Sequence, residues 1–172
     1  MKTFRLLFTV LPLLTAGALL AAPSASKDSS RVNVTFSHPE KFTDVKEDQF
    51  GSEKGRDAIL EQIRDYIDQR APRYMKNGES LSVTFTDIDL AGDFEPWRGP
   101  KADDIRIIRA IYPPRMDLSF KVTDASGAVV KEGTRELRNL DFQSELSVNT
   151  QDSLRFEKSL LDDFLRSLFP RR

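Results

Sequence analysis

Met116, Leu118, Phe120 and Val122 alternate without a break with Asp117, Ser119, Lys121 and Thr123. Successive strand residues face opposite sides of a sheet, so this segment makes a strand with one apolar and one polar face. Val32, Val34 and Phe36 alternate in the same way with Asn33, Thr35 and Ser37, and Leu81, Val83 and Phe85 with Ser82 and Thr84. Amphipathic strands throughout call for a mostly antiparallel sheet with a single covered side. Two segments of helical period are available as the cover. From Arg56, the residues Ile59, Ile63, Tyr66, Ile67 and Arg70 share a stripe that ends near Ala71, because Pro72 disfavours helix in the residue before it. Near the C-terminus, Leu154, Leu161, Phe164, Leu165 and Leu168 form a second stripe, with Thr150 or Asp152 as its cap. The expected fold is therefore α+β: a two-layer sandwich in the order strand, helix, several strands, helix, with both amphipathic helices on one face.

Between these elements the pattern is less regular. Glu40 to Gly55 reads as a long loop tacked down by Phe42, Val45 and Phe50. The alternation from Leu81 breaks within Thr86-Asp87-Ile88, where apolar residues move from odd to even positions; a β-bulge accounts for the change of face. Gly92 and Glu95-Pro96 lead into a surface loop, Gly99 to Asp104, after which Ile105, Ile107 and Ile111 suggest a further strand. Tyr112-Pro113-Pro114-Arg115 must be extended or bent, since two prolines remove two ladder donors. Asp124 to Gly127 turns the best strand into a weaker, charged partner from about Val129 to Leu137, as suits a sheet edge. Leu140 to Val148 suggests a short strand or an ordered loop.

The N-terminus carries the pattern of a secretory signal: Lys2 and Arg5, an apolar run from Leu6 to Leu20, then small residues to Ser26. Cleavage is expected somewhere between 18 and 26, leaving residues 27–172 as one domain with a polar lead-in. The run is shorter than the roughly 20 residues of a membrane span, and contains Pro12 and Gly17, so no stable membrane insertion is expected once it is removed. Leu19-Leu20-Ala21-Ala22 is not followed by a lipid-bearing cysteine, which argues against a lipoprotein. The expected location is the periplasm, in soluble form. Removing Lys2 and Arg5 from 26 basic residues leaves 24 against 27 acidic ones, a net charge of −3, which speaks against nucleic acid as a partner. Without cysteine, stability must come from a packed core rather than disulfides.

The residue inventory removes several chemistries. One histidine, His38, and no cysteine exclude clustered zinc or copper ligands and Cys–His catalysis, and no Gly-x-Ser-x-Gly elbow or Gly-rich phosphate loop is present. Counted from Asp87, the positions Asp89, Gly92, Asp93 and Glu95 follow part of a calcium loop, but Ala91 and Arg98 stand where two further ligands belong. No metal and no cofactor is therefore expected. Hydrolysis of a glycosidic bond needs only two separated acids, and Asp89 and Glu95 lie beside Trp97, whose ring suits a sugar face.

Thr86 to Trp97, Asp104 to Arg109 and Tyr112-Pro113-Pro114-Arg115, together with Val32 to Phe36 and Lys41 to Val45, resemble an uncharacterised bacterial family, the domain of unknown function numbered 3016. The resemblance covers nearly all of the chain after the signal. It implies exported proteins, mainly of Gram-negative proteobacteria, with no established activity, cofactor or catalytic residues to carry over. Pro72 departs from it, falling where the family's helix is expected to run on.

The reading these features support is an exported, non-enzymatic protein that binds an unknown protein or envelope component through the region 87–115. Its candidate binding residues are Asp87, Asp89, Asp93, Glu95, Trp97, Arg106, Arg109, Tyr112 and Arg115, with none assigned to catalysis or metal. The alternative is a carboxylate-dependent hydrolase of an envelope glycan that uses Asp89 and Glu95.

Overall fold

The computed structural model describes residues 31–99, 104–144 and 151–169. Its elements are β1 (Val32–Phe36), α1 (Glu53–Arg70), β2 (Ser80–Asp89), β3 (Asp93–Phe94), β4 (Arg106–Ile107), β5 (Arg115–Thr123), β6 (Val129–Arg138) and α2 (Arg155–Leu168). Four strands form the main sheet in the order β1-β2-β5-β6, while β3 and β4 pair only with each other. The protein is α+β, and its main sheet is mixed. β2–β5 and β5–β6 are antiparallel, whereas β1 and β2 run parallel. The parallel pair follows from α1, which lies between β1 and β2 in the chain and returns it to the same end of the sheet.

Alternation places the core where the sequence pattern put it. Leu81, Val83 and Phe85 stand opposite Val122, Phe120 and Leu118, and all six are buried. They join Leu60, Ile63 and Ile67 of α1 and Leu161, Phe164, Leu165 and Leu168 of α2 in one cluster. Phe36 stacks on Phe85, and Phe164 meets Phe120 edge-on. The bulge lies between Phe85 and Asp87. By taking up one residue it returns Ile88 to the apolar side, opposite Met116, and turns Asp87 and Asp89 outward.

The helices are tied to each other and to the sheet edge by polar contacts. Arg70, in the last turn of α1, grips Asp162 of α2 through two bonds of 2.8 Å. Lys131 of β6 points inward and donates to the carbonyls of Ser167 and Leu168, which the end of α2 leaves unpaired. Asp152 supports the start of α2, accepting from the Leu154 amide and pairing with Lys158. Thr150 and residues 145–148 lie outside the described residues, as do residues 1–30.

Three expectations change. The helix α1 starts at Glu53 rather than Arg56, because Ser52 caps it by accepting from the Gly55 amide. Gly55 leaves room for the Glu47 carboxylate that bonds Ser52, and a Cβ there would make that carboxylate swing away. Phe50 is not an anchor. It is 80% exposed, and its loop is held by Asp48, which accepts from the amides of Phe50 and Gly51. Finally, Ile105 and Ile111 are exposed, and the strand between them shrinks to Arg106–Ile107, paired with β3 outside the main sheet. Pro72 sits in a short 3₁₀ turn, Ala71–Arg73, that continues from α1.

Candidate functional site

The outward face of the main sheet is polar, and beyond the bulge it becomes densely charged. Asp89, Arg115 and Arg138 stand abreast on β2, β5 and β6, and Asp87, Asp117 and Glu136 form the next row. Like charges set directly opposite on neighbouring strands repel, so each row calls for partners from outside the sheet. A strap over residues 42–46 supplies some of them. Phe42 and Val45 are buried in the core, and between them the backbone of Asp44 bridges the end of β2, donating to Ile88 and accepting from Leu90. This sets the Thr43 amide and hydroxyl each 2.7 Å from the Asp87 carboxylate, while Arg115 Nη2 reaches Asp87 at 2.8 Å and Thr43 at 3.1 Å.

The excursion from Asp93 to Tyr112 is organised by two further arginine–carboxylate clusters. Arg106 forks onto Asp44 at 2.7 and 3.2 Å and donates to the carbonyls of Gly92 and Lys46. Its guanidinium also lies over the Phe94 ring. Gly92 has φ +80°, and a Cβ there would come within 2.8 Å of the Ile107 carbonyl, so only glycine lets the excursion fold back onto the end of β2. Glu95 is wholly buried, at 0% exposure, between Arg98 and Arg109, with the Tyr112 hydroxyl 3.3 Å away. The hydrogen bond from Arg109 holds the Glu95 carboxyl below its ordinary range despite burial. The same bond raises Arg109, and burial beside Glu95 raises Tyr112.

Where the strap, the end of the sheet and this excursion meet, a cleft of about 500 Å³ opens, lined by Thr43, Asp44, Lys46, Asp89, Gly92, Asp93, Ile111, Tyr112, Pro113, Arg115 and Arg138. Four of the residues singled out from sequence line it: Asp89, Asp93, Tyr112 and Arg115. Asp87 and Arg106 brace it from behind through Arg115 and Asp44. Glu95 and Arg109 do not line it, but they bond to Tyr112, which does, or to its partner. Trp97 lies in the 3₁₀ turn Pro96–Arg98, 71% exposed and not part of the lining. Thr43, Asp44, Lys46 and Arg138 come from distant segments and were missed. The strap's anchors, Phe42 and Val45, were legible as the residues that tack down the 40–55 loop, but its polar residues carried no signal of their own, and Arg138 none beyond that of a charge near a sheet edge.

Two kinds of charge line the cleft. Asp44 is fully engaged by Arg106, and Asp93 spends one oxygen on the Phe94 amide. Asp89 is different. Burial raises its pKa, an effect partly opposed by Arg115, whose Nε lies 4.0 Å from Oδ2, beyond hydrogen-bonding distance. That Nε is itself buried without a partner. Lys46 and Arg138 have no ion-pair partner among the described residues. Beneath the cleft, Glu157 of α2 accepts the Ala91 amide at 2.7 Å through Oε1, while its Oε2 is buried and unpaired; burial raises this carboxyl.

The partial calcium loop does not assemble: Asp87 is spent on Thr43 and Arg115, and Glu95 on two arginines. Among the described residues no three acids or histidines converge as a metal site. Asp89 and Glu95 also do not share an open site, because only Asp89 lines the cleft. No curated protein matches the chain. The family described as Protein of unknown function (DUF3016) matches residues 30–167, which spans the sheet, α1, all but the last residue of α2 and every wall of the cleft, and the chain belongs to that family.

Proposed function

We propose that this is an exported, non-enzymatic binding protein of the periplasm, which takes an envelope component or the end of a partner chain into the cleft between the 42–46 strap and the 93–112 excursion. The observation that carries the reading is the state of the charges. Asp44, Asp87 and Glu95 are each consumed by arginine, which makes a braced frame, while Arg138 lines the cleft with no ion-pair partner among the described residues and Asp89 has only Arg115, at 4.0 Å. A braced polar frame around a few weakly paired groups suits recognition. Among the described residues no helix is long and apolar enough to cross a membrane, which agrees with release after removal of residues 1–26.

The test is retention from a fractionated envelope extract by the purified protein, read by mass spectrometry for small molecules and peptides. Wild type should hold a component that Arg138→Ala loses; identical retention by both would move the site elsewhere. Cell fractionation should recover the processed chain with the periplasmic contents, and recovery with the cytoplasm would defeat the export reading. The raised pKa of Asp89 in an open cleft supports a second reading, carboxylate-assisted hydrolysis of an envelope glycan. Turnover of purified glycans that disappears in Asp89→Asn would favour it.

A further inference from the structure

The cleft places opposite charges on two strands that are not neighbours. Asp89 is on β2 and Arg138 on β6, with Arg115 of β5 between them in the same row. Strands lie about 4.8 Å apart, so the backbones carrying Asp89 and Arg138 are separated by about 10 Å. Arg115 cannot serve both sides. It is committed to Asp87 and Thr43, lies 4.0 Å from Asp89, beyond hydrogen-bonding distance, and stands directly opposite Arg138, a like charge. The result is an acid at Asp89 and a base at Arg138, two strands apart on one cleft and not paired with each other, while Lys46 follows Asp44 on the opposite side of Asp89. Ile111 and Pro113 add an apolar part to the same lining.

We infer that the cleft binds a short zwitterionic molecule of the free-peptide class, its ammonium held at Asp89 and its carboxylate at Arg138. An extended chain covers about 3.3–3.6 Å per residue, so two or three residues bridge the two ends. A volume of about 500 Å³ accommodates a molecule of that size, with an aliphatic side chain against Ile111. An anion alone would leave Asp89 desolvated beside it, and a cation alone would leave Arg138 facing Arg115. A zwitterion answers both, because each charged end gains a charge-assisted hydrogen bond.

This inference rests on the cleft being the binding site, and its test separates the two ideas. Trialanine, N-acetyl-trialanine and trialanine amide are titrated into the full mature protein, followed by amide chemical shifts and calorimetry. Free trialanine should give saturable shifts at Ile111, Tyr112 and Arg138, with each blocked form at least about tenfold weaker, the loss of one charge-assisted bond. Asp89→Asn should cease to distinguish the free from the acetylated peptide, and Arg138→Ala the free from the amidated one. Both side chains are at least partly exposed, so the variants should fold, as a melting curve will verify. Equal affinity for a blocked form, or shifts confined to other surfaces, overturns the zwitterion. Retention from extract of a non-zwitterionic component by wild type but not by Arg138→Ala would also overturn it while leaving the binding site in place.

Discussion

Glu95 and Glu157 are equally hidden from solvent, at 0% and 1% exposure, yet the two regions that hide them work in opposite ways. Around Glu95 the excursion is built from charges: Arg98, Arg109 and the Tyr112 hydroxyl converge on one carboxylate and hold it ionised. Glu157 accepts the Ala91 amide beside the Phe142–Phe156 cluster, and burial outweighs the pull of Arg106 and Arg155 and favours the protonated form. Burial by itself therefore does not say what a buried acid contributes. The partners decide, since removing charge from water is costly unless hydrogen bonds or an opposite charge replace the lost hydration. The first region is a frame whose geometry is set by pairwise contacts. The second belongs to a core held by area and packing.

The largest effect should come from the core. Phe85→Ala removes a ring with 0% exposure that stacks on Phe36, and should cost about 3–5 kcal/mol in urea unfolding. A loss under 1 kcal/mol, a threshold well below the usual cost of such a cavity, would mean that the sandwich is loosely packed. Next comes the frame. Asp44→Ala strips Arg106 of its paired partner, in a setting where both side chains are mostly buried, and should cost about 2–3 kcal/mol. If the loss vanishes when Arg106 is also replaced, the pair itself carries it; if Asp44→Ala alone is neutral, the strap is held by Phe42 and Val45 without help.

The two glutamates should then give opposite pH dependence. The Glu157 pKa is raised in the fold, so its penalty is absent below the unfolded value, near 4.3, and grows as pH rises toward the folded one. Glu157→Gln should remove that loss and raise the melting temperature at neutral pH. The Glu95 pKa is lowered, so its contribution is present above the unfolded value and fades as pH falls through the folded one. Glu95→Gln should therefore be most damaging at neutral pH and least so in acid. Parallel melting curves for the two variants across pH would erase the contrast. The smallest effect is expected for Arg138→Ala, which lies at the sheet edge with no ion-pair partner among the described residues and should change stability by no more than about 0.5 kcal/mol while abolishing retention of ligand. A large destabilisation there would make Arg138 part of the frame instead.

Much of the fold was legible because a strand has only two faces. Val83, Phe85, Phe120 and Val122 announced the buried side, and the switch from odd to even positions around Thr86 announced the bulge that the register contains. Phe50, Ile105 and Ile111 were misjudged for a related reason: hydrophobicity without periodicity does not specify burial, and all three are exposed. The site was half legible. Asp89, Asp93, Tyr112 and Arg115 were singled out within one continuous region and line the cleft, whereas Lys46 and Arg138 reach it only through the strap and the hairpin.

By itself, the sequence determined which residues can leave water: period-2 alternation and two amphipathic stripes specify a one-sided sheet under two helices, because transfer of apolar area is additive along the chain. Only the tertiary structure decided which charges meet. Arg106 chooses Asp44, which lies 62 positions away, over the acids closer to it in the chain, and Glu157 faces Ala91 instead of solvent. Electrostatic partnership depends on distance in space and on local dielectric, neither of which is encoded in spacing along the chain.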